Sequence, residues 1–343
     1  MVSESTLTLD ILPLSADTAR LVRVYGTEPC IALPGTLPAP EGGSFTVTEL
    51  GDYCFSEKPR SLPAADKTCR YEAAPDGTAR LTRAFGQTVG GTCRRYDFDF
   101  DAPASGSDAD DLHPVCGNFL EELTLPDSLQ VVGSCAFYNC RKLASATLPA
   151  GLTVLEDYTF YHCDALTLPT LPATLTGIGR SAFYKCALGE QSNDTAQDTL
   201  VIPDSVTYIG AFAFYGSGYS YADPDKVDTY IAGGIDILVI GSGVQTVGEQ
   251  AFANFPSLRR VTLGAEVRSL GDKAFYKCTM LETVDFGNSR LESIGGRAFY
   301  KCAALTKITL PETLRTVGDY AFYKCTSLTR LSLGGAERIG DYA

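Results

Sequence analysis

Histidine occurs only twice in the 343 residues, at His113 and His162, and tryptophan does not occur at all. Two scattered histidines leave little for acid–base chemistry. Neither lies near a nucleophile signature such as G-x-S-x-G, and no glycine-rich phosphate loop is present. Catalysis is therefore not expected. Basic side chains are in deficit, with 28 Lys and Arg against 41 Asp and Glu and a net charge of −13. That balance excludes nucleic acid as a partner, because phosphates need a basic stripe to neutralise them. It also disfavours anionic membranes and favours solubility. No stretch approaches the roughly 18 apolar residues of a membrane helix. Residues 1–10 have neither a basic start nor an apolar core, so they do not read as a signal peptide. C-x-x-C pairs are missing, and the C-x4-C of Cys135 and Cys140 has no second pair nearby, so zinc is not expected. The run from Asp97 to Asp101 has the aspartate spacing of a calcium loop. Ala102 stands where the loop's Gly belongs and Asp108 where its closing Glu belongs, so it reads as a solvated acidic loop. No metal or cofactor is expected.

What the chain does contain is one phrase, nine times over. Its cleanest forms run from Ile294 to Cys302, Ile178 to Cys186 and Val317 to Cys325, and its Phe falls at Phe55, Phe137, Phe160, Phe183, Phe214, Phe252, Phe275, Phe299 and Phe322. The basic period is about 23 residues with two polar insertions, at 189–198 and 218–234, which is the signature of a solenoid. The common form is L-x-x-L-x-L-P-x-x-L-x-x-I-G-x-x-A-F-Y-K-C. Its L-x-L alternation puts two Leu on one face of a short strand and the residue between them on the other. The second apolar pair, such as Val206 and Ile209, returns as another short extended segment. Gly210 and its equivalents are read as tight corners, and Ser134, Asp272 and Asp319 as caps of a helical turn. Phe fills the core.

The pattern closely resembles the leucine-rich repeat family of the BspA-like type, over residues 119–343 and 31–55; the A-F-x-x-C phrase at this period is specific to that type. The resemblance implies a curved right-handed solenoid, a β-rich α/β repeat. Short parallel strands line its concave side, with short strands and helical turns on the other walls. Family members are mostly bacterial surface or secreted proteins implicated in adhesion and protein binding. A chain that truly starts at Met1 would instead stay in the cytoplasm.

Twelve cysteines invite a disulfide reading. Six of them (Cys140, Cys163, Cys186, Cys278, Cys302, Cys325) share one repeat position, which Ser217 and Phe255 fill in two other rungs. A slot that accepts Ser or Phe is a packing slot, so a buried, reduced, inert ladder is expected. Tyr follows the Phe in seven rungs and Lys follows that Tyr in four. A convex stripe gripping sugar or an acidic partner is one reading; a structural ladder with solvated Lys is the expected one. His162 occupies the Lys slot and is expected at the surface.

Four segments are expected: a capping hairpin at 1–28, a first repeat at 29–55, an irregular insertion at 56–118, and the array at 119–343. The insertion holds Cys69, Cys93 and Cys116, with arginines followed by aspartates. The array stops mid-phrase at Ala343, so a raw carboxyl end, with Leu331 and Leu333 uncovered and fraying first, is expected. The function expected is a non-enzymatic protein-interaction or adhesion scaffold. It would bind a protein or glycan partner through the concave residues that vary between rungs: Glu122, Thr124, Ser145, Thr147, Arg260, Thr262, Thr283, Asp285, Lys307, Thr309, Arg330 and Ser332. The alternatives are a structural spacer displaying the insertion and, more weakly, an enzyme activity within it.

Overall fold

The structure is a computed structural model that describes residues 7–40, 42–56, 69–73, 79–83, 116–167, 169–189, 198–217, 219–220, 229–230 and 234–343. Each rung contributes three short segments, and like segments stack on one another from rung to rung. The first segments form two parallel sheets. One holds Cys30–Ala32, Glu122–Thr124 and Ser145–Thr147; the other holds six strands from Thr199–Ile202 to Arg330–Ser332. Alternation does what the sequence implies. Leu123 and Leu125 point into the core at 3% exposure each, and Thr124 between them points out. The break between the two sheets falls in the rung that ends on Phe183. Its segment after Leu166 runs into Pro169 and Pro172, which have no N–H to give a ladder.

The second segments, two residues each from Val131–Val132 to Arg338–Ile339, form a continuous parallel wall. At its amino end this wall joins Ser44–Leu50, which pairs parallel with Thr18–Tyr25, and Thr18–Tyr25 pairs antiparallel with Leu7–Pro13. Cys69–Ala73 then pairs antiparallel with Leu7–Pro13, and Ala79–Arg83 with Cys69–Ala73. So two strands of the 56–118 segment extend the hairpin's sheet. The first rung stacks directly on the next, Cys30–Ala32 against Glu122–Thr124 and Phe55 against Phe137 at 5.0 Å, although the two are separated in sequence by the 56–118 segment.

The third wall is made of hydrogen-bonded turns rather than helix. Each full A-F rung of the array holds two residues in left-handed backbone, such as Lys273 (φ 56°) and Lys277 (φ 59°), and these interrupt any helical run. The chain's own N–H groups are satisfied by the next rung instead: Lys273, Phe275 and Lys277 donate to the carbonyls of Gly296, Ala298 and Tyr300, each at 2.8 Å. Carboxylates that recur in several rungs act across rungs too. Asp52, Asp157, Asp272 and Asp319 accept the N–H of Ser134, Arg180, Gly296 and Asp341 at 2.6–2.8 Å. This corrects the expected cap: the aspartates tie one rung to the next, and Ser134 takes part through its backbone N–H. The glycine just before Asp272 and Asp319 is also explained differently. A Cβ on Gly271 would lie 2.6 Å from the Glu249 nitrogen and 2.7 Å from the Gly248 carbon, so close approach of neighbouring rungs, not a left-handed corner, requires glycine there.

Between the walls the nine Phe rings are buried and form one column. From Phe137 to Phe322 the centroids lie 4.9–5.6 Å apart with rings within 12° of parallel. Offset-stacked pairs of this kind add about 0.5–1.5 kcal/mol each beyond area burial.

Candidate functional site

Strand register gathers the outward side chains into two columns. In the six-stranded sheet the first column runs Thr199, Ile237, Arg260, Thr283, Lys307 and Arg330. The second runs Val201, Val239, Thr262 and Asp285, then Thr309 and Ser332. In the three-stranded sheet Cys30, Glu122 and Ser145 align, as do Ala32, Thr124 and Thr147. The twelve residues singled out from the sequence are all exposed on this wall, but the break after Ser145–Thr147 places four of them on one sheet and eight on the other.

Six further outward residues escaped the sequence reading: Cys30, Ala32, Thr199, Val201, Ile237 and Val239. The last four lie in T-L-V-I and I-L-V-I runs, where apolar side chains on both faces hide the alternation; only counting from the repeat's Phe would have placed them. Val201 is 54% exposed and its in-register neighbour Val239 half-buried. The two sheets differ in charge. At the three-stranded end Glu121 and Glu122 lie beside Cys30, whose thiol is pushed up by desolvation first and then by those carboxylates. On the six-stranded sheet the first column carries Arg260, Lys307 and Arg330, and Lys307 and Arg330 have no ion-pair partner among the described residues. Arg259, one residue ahead of its strand, is held by Asp236 at 3.4 Å and Glu282 at 2.9 Å. Asp285 accepts the Gly287 N–H at 2.9 Å.

The turn wall has the opposite character. Cys140, Cys163, Cys186, Cys278 and Cys302 are fully buried, and Cys325 is partly so. They do more than fill space. The thiols of Cys163, Cys186, Cys278, Cys302 and Cys325 donate to the carbonyls of Phe137, Phe160, Phe252, Phe275 and Phe299 at 3.0–3.2 Å. Ser217 makes the same bond to Phe183 at 3.2 Å. Desolvation pushes these thiols up, Cys278 to about 12 and Cys325 to about 11, so they are poor nucleophiles. The tyrosines stack at 4.7–5.3 Å within 21° of parallel, in the runs Tyr138–Tyr161–Tyr184–Tyr215 and Tyr276–Tyr300–Tyr323. Within a run each ring face is covered by the next ring, which leaves little for stacking a sugar. Lys277, Lys301 and Lys324 sit 5.3–5.7 Å from the centroid of the preceding Tyr. His162 is half-buried rather than at the open surface: its Nδ1 is hydrogen-bonded at 3.0 Å to Asp164, a buried carboxylate that also pairs with Arg141 at 3.5 Å.

A cleft of about 50 Å³ lies beside the Arg20–Glu49 ion pair, lined also by Asp52, Val131, Gly133 and Glu156. Among the described residues no three His, Cys, Asp or Glu converge as a metal site, and no helix is long and apolar enough to cross a membrane. The run from Asp97 to Asp101 lies outside the described residues, as do Cys93 and His113.

The sequence pattern of the BspA type leucine-rich repeat region matches residues 116–195 and 230–343, in six copies. The chain belongs to this family. Its fold is therefore a leucine-rich repeat solenoid, with parallel strands stacked from rung to rung. BspA-type repeat proteins generally serve protein interaction or act at surfaces, and the scaffold is typically non-enzymatic. Among solved structures, a leucine-rich repeat protein from Bacteroides ovatus is 17% identical with a TM-score of 0.41, over 99% of this chain and 90% of that one. The T. pallidum leucine-rich repeat protein is 20% identical with a TM-score of 0.45, over 86% of each chain. A leucine-rich cell surface protein from Faecalibacterium prausnitzii is 19% identical with a TM-score of 0.29, over 97% of this chain and 93% of that one. No curated protein matches the sequence.

Proposed function

We propose that this BspA-type protein is a non-enzymatic interaction scaffold whose protein partner lies across the outward face of the three-residue strands. One contrast carries the reading. On the turn wall and in the core, repeat residues are committed to the neighbouring rung: Phe to Phe, Tyr to Tyr, Cys to a Phe carbonyl, Asp to a backbone N–H. On the strand wall the first column changes at each strand, from Thr199 and Ile237 through Arg260 and Thr283 to Lys307 and Arg330, and Lys307 and Arg330 pair with nothing described. Positions that neither pack nor repeat are the ones a solenoid has available for recognition. The test is partner capture by the immobilised array with and without Arg260→Glu and Lys307→Glu. Loss of capture supports this face; unchanged capture means the surface has been misplaced.

One observation favours a second reading, a spacer that displays the 56–118 segment. Its strands Cys69–Ala73 and Ala79–Arg83 are anchored on the sheet of the amino-terminal hairpin. Deleting the whole segment would strip that sheet as well, so the discriminating deletion is 84–115. Loss of binding with the array still folded would favour display over the strand wall.

A further inference from the structure

We infer that the segment recognised by the six-stranded face is an extended polypeptide, apolar at one end and acidic at the other; this rests on the interaction reading above. The face is continuous, six in-register strands from Thr199–Ile202 to Arg330–Ser332. Five strand spacings of about 4.8 Å make it about 24 Å long, the reach of roughly seven extended residues. Its two ends differ in chemistry. At one, Val201 stands 54% exposed beside half-buried Ile237 and Val239 on the adjoining strand. At the other, Lys307 and Arg330 stand on the last two strands, and Arg260, on the strand next to Ile237, belongs to the same column of a chain whose net charge is −13. Lys307 and Arg330 are directly in register, about 5 Å apart by strand spacing, and repel each other in the free protein. A carboxylate placed between them relieves that repulsion.

The nearby acids do not do so from within. Asp285 holds a backbone N–H, and Asp236 and Glu282 hold Arg259. The lysines of the turn wall differ in this respect, since Lys277, Lys301 and Lys324 already lie against tyrosine rings. Around the cations the face carries Asp285, whose carboxylate accepts the Gly287 N–H, and otherwise the short hydroxyl side chains of Thr262, Thr283, Thr309 and Ser332, which leave room for a strand to lie close and can hydrogen-bond its exposed N–H and C=O groups. The apolar end distinguishes a polypeptide from a sulfated glycan, which would have nothing to place on Val201.

The experiment is fluorescence anisotropy on the full chain with labelled Val-Leu-Thr-Glu-Thr-Glu-Glu, a scrambled peptide of the same composition, and heparin. The ordered peptide is expected to bind best, with affinity falling as salt rises. Arg260→Glu/Lys307→Glu/Arg330→Glu is expected to weaken it by about tenfold or more. Val201→Glu weakens it as well, and Lys277→Glu/Lys301→Glu leaves it unchanged. If the triple variant melts early, Lys307→Gln/Arg330→Gln is expected to weaken binding in the same direction. Equal binding of the scrambled peptide, indifference to the sheet substitutions, or binding of heparin alone would overturn the inference. Partner capture separates the two levels. If the charge reversal abolishes capture while the peptide does not bind, the surface stands and the partner chemistry is wrong; if capture is unchanged, both fall.

Discussion

Replacing Cys302 separates two accounts of the cysteine ladder. The thiol is fully buried and donates to the Phe275 carbonyl at 3.2 Å, while that carbonyl also accepts the Cys278 N–H at 3.3 Å. Cys302→Ala removes the sulfur and the donor but leaves the carbonyl one partner, so the cost is expected at about 1–2 kcal/mol, from a small cavity and a weak hydrogen bond. Cys302→Ser keeps a donor of nearly the same reach, as Ser217 already does in its own rung, and should cost under about 1 kcal/mol. Cys302→Val loses the donor and adds branched volume against a stacked rung, for about 1–3 kcal/mol. Were the slot merely apolar, the order would reverse, with Ser worst because a buried hydroxyl lacking a partner costs about 1–3 kcal/mol. Urea unfolding gives the totals. Amide exchange around Phe299 and Cys302 gives the local opening, which matters because repeat arrays need not unfold in one step. A serine variant less stable than the alanine one would refute the hydrogen-bond account.

Other consequences concern the same wall. A brief maleimide pulse on the native chain should label exposed Cys30 and spare Cys140, Cys163, Cys186, Cys278 and Cys302; rapid labelling of those five would contradict their burial. Burial raises the folded thiols above the unfolded value of about 8.5, so the unfolded chain loses its protons first. Stability is full below about pH 8 and lost as pH rises toward the folded values, about 12 for Cys278 and about 11 for Cys325. The slope is about 1.4 kcal/mol per pH unit for each buried thiol, and a urea midpoint that holds constant to pH 10.5 would contradict it. Lys301 lies at φ 61°, a slot that Gly216, Asn139 and Asn254 fill elsewhere. Lys301→Gly should be neutral or stabilising by up to about 1 kcal/mol and Lys301→Ile destabilising by about 1–2 kcal/mol; equal stabilities would argue against left-handed backbone there. Gly271→Ala brings a methyl against the backbone of the rung before it and should cost at least about 2 kcal/mol by thermal melting.

The repeat made most of the architecture readable. Leu at two-residue spacing and Phe at the same place in each unit fix which side chains face the core, and Leu123, Leu125 and Phe137 lie there. Less readable were interactions between rungs, because residues some 23 positions apart meet only once the stack exists. Asp272 read as a cap from its position after Gly271, yet its partner is Gly296. Cys302 read as filler from the tolerance for Ser217 and Phe255, although Ser217 keeps the donor and only Phe255 abandons it. His162 read as surface from its slot, and the local residue Asp164 drew it half inside. On the candidate face, alternation identified Arg260 and Lys307, whereas Val201 and Val239 were hidden in apolar runs whose outward members look like core.

The most direct test of the interaction face is an amide-exchange footprint of the full chain with a captured protein partner bound. Protection is expected on the strand wall, over Ile237–Ile240, Arg260–Thr262 and Lys307–Thr309, beyond what the free chain shows, with the A-F-Y turns around Phe275 and Phe299 unchanged. Protection confined to the turns, with those strands unaffected, would place the partner on the opposite wall and contradict the proposed function.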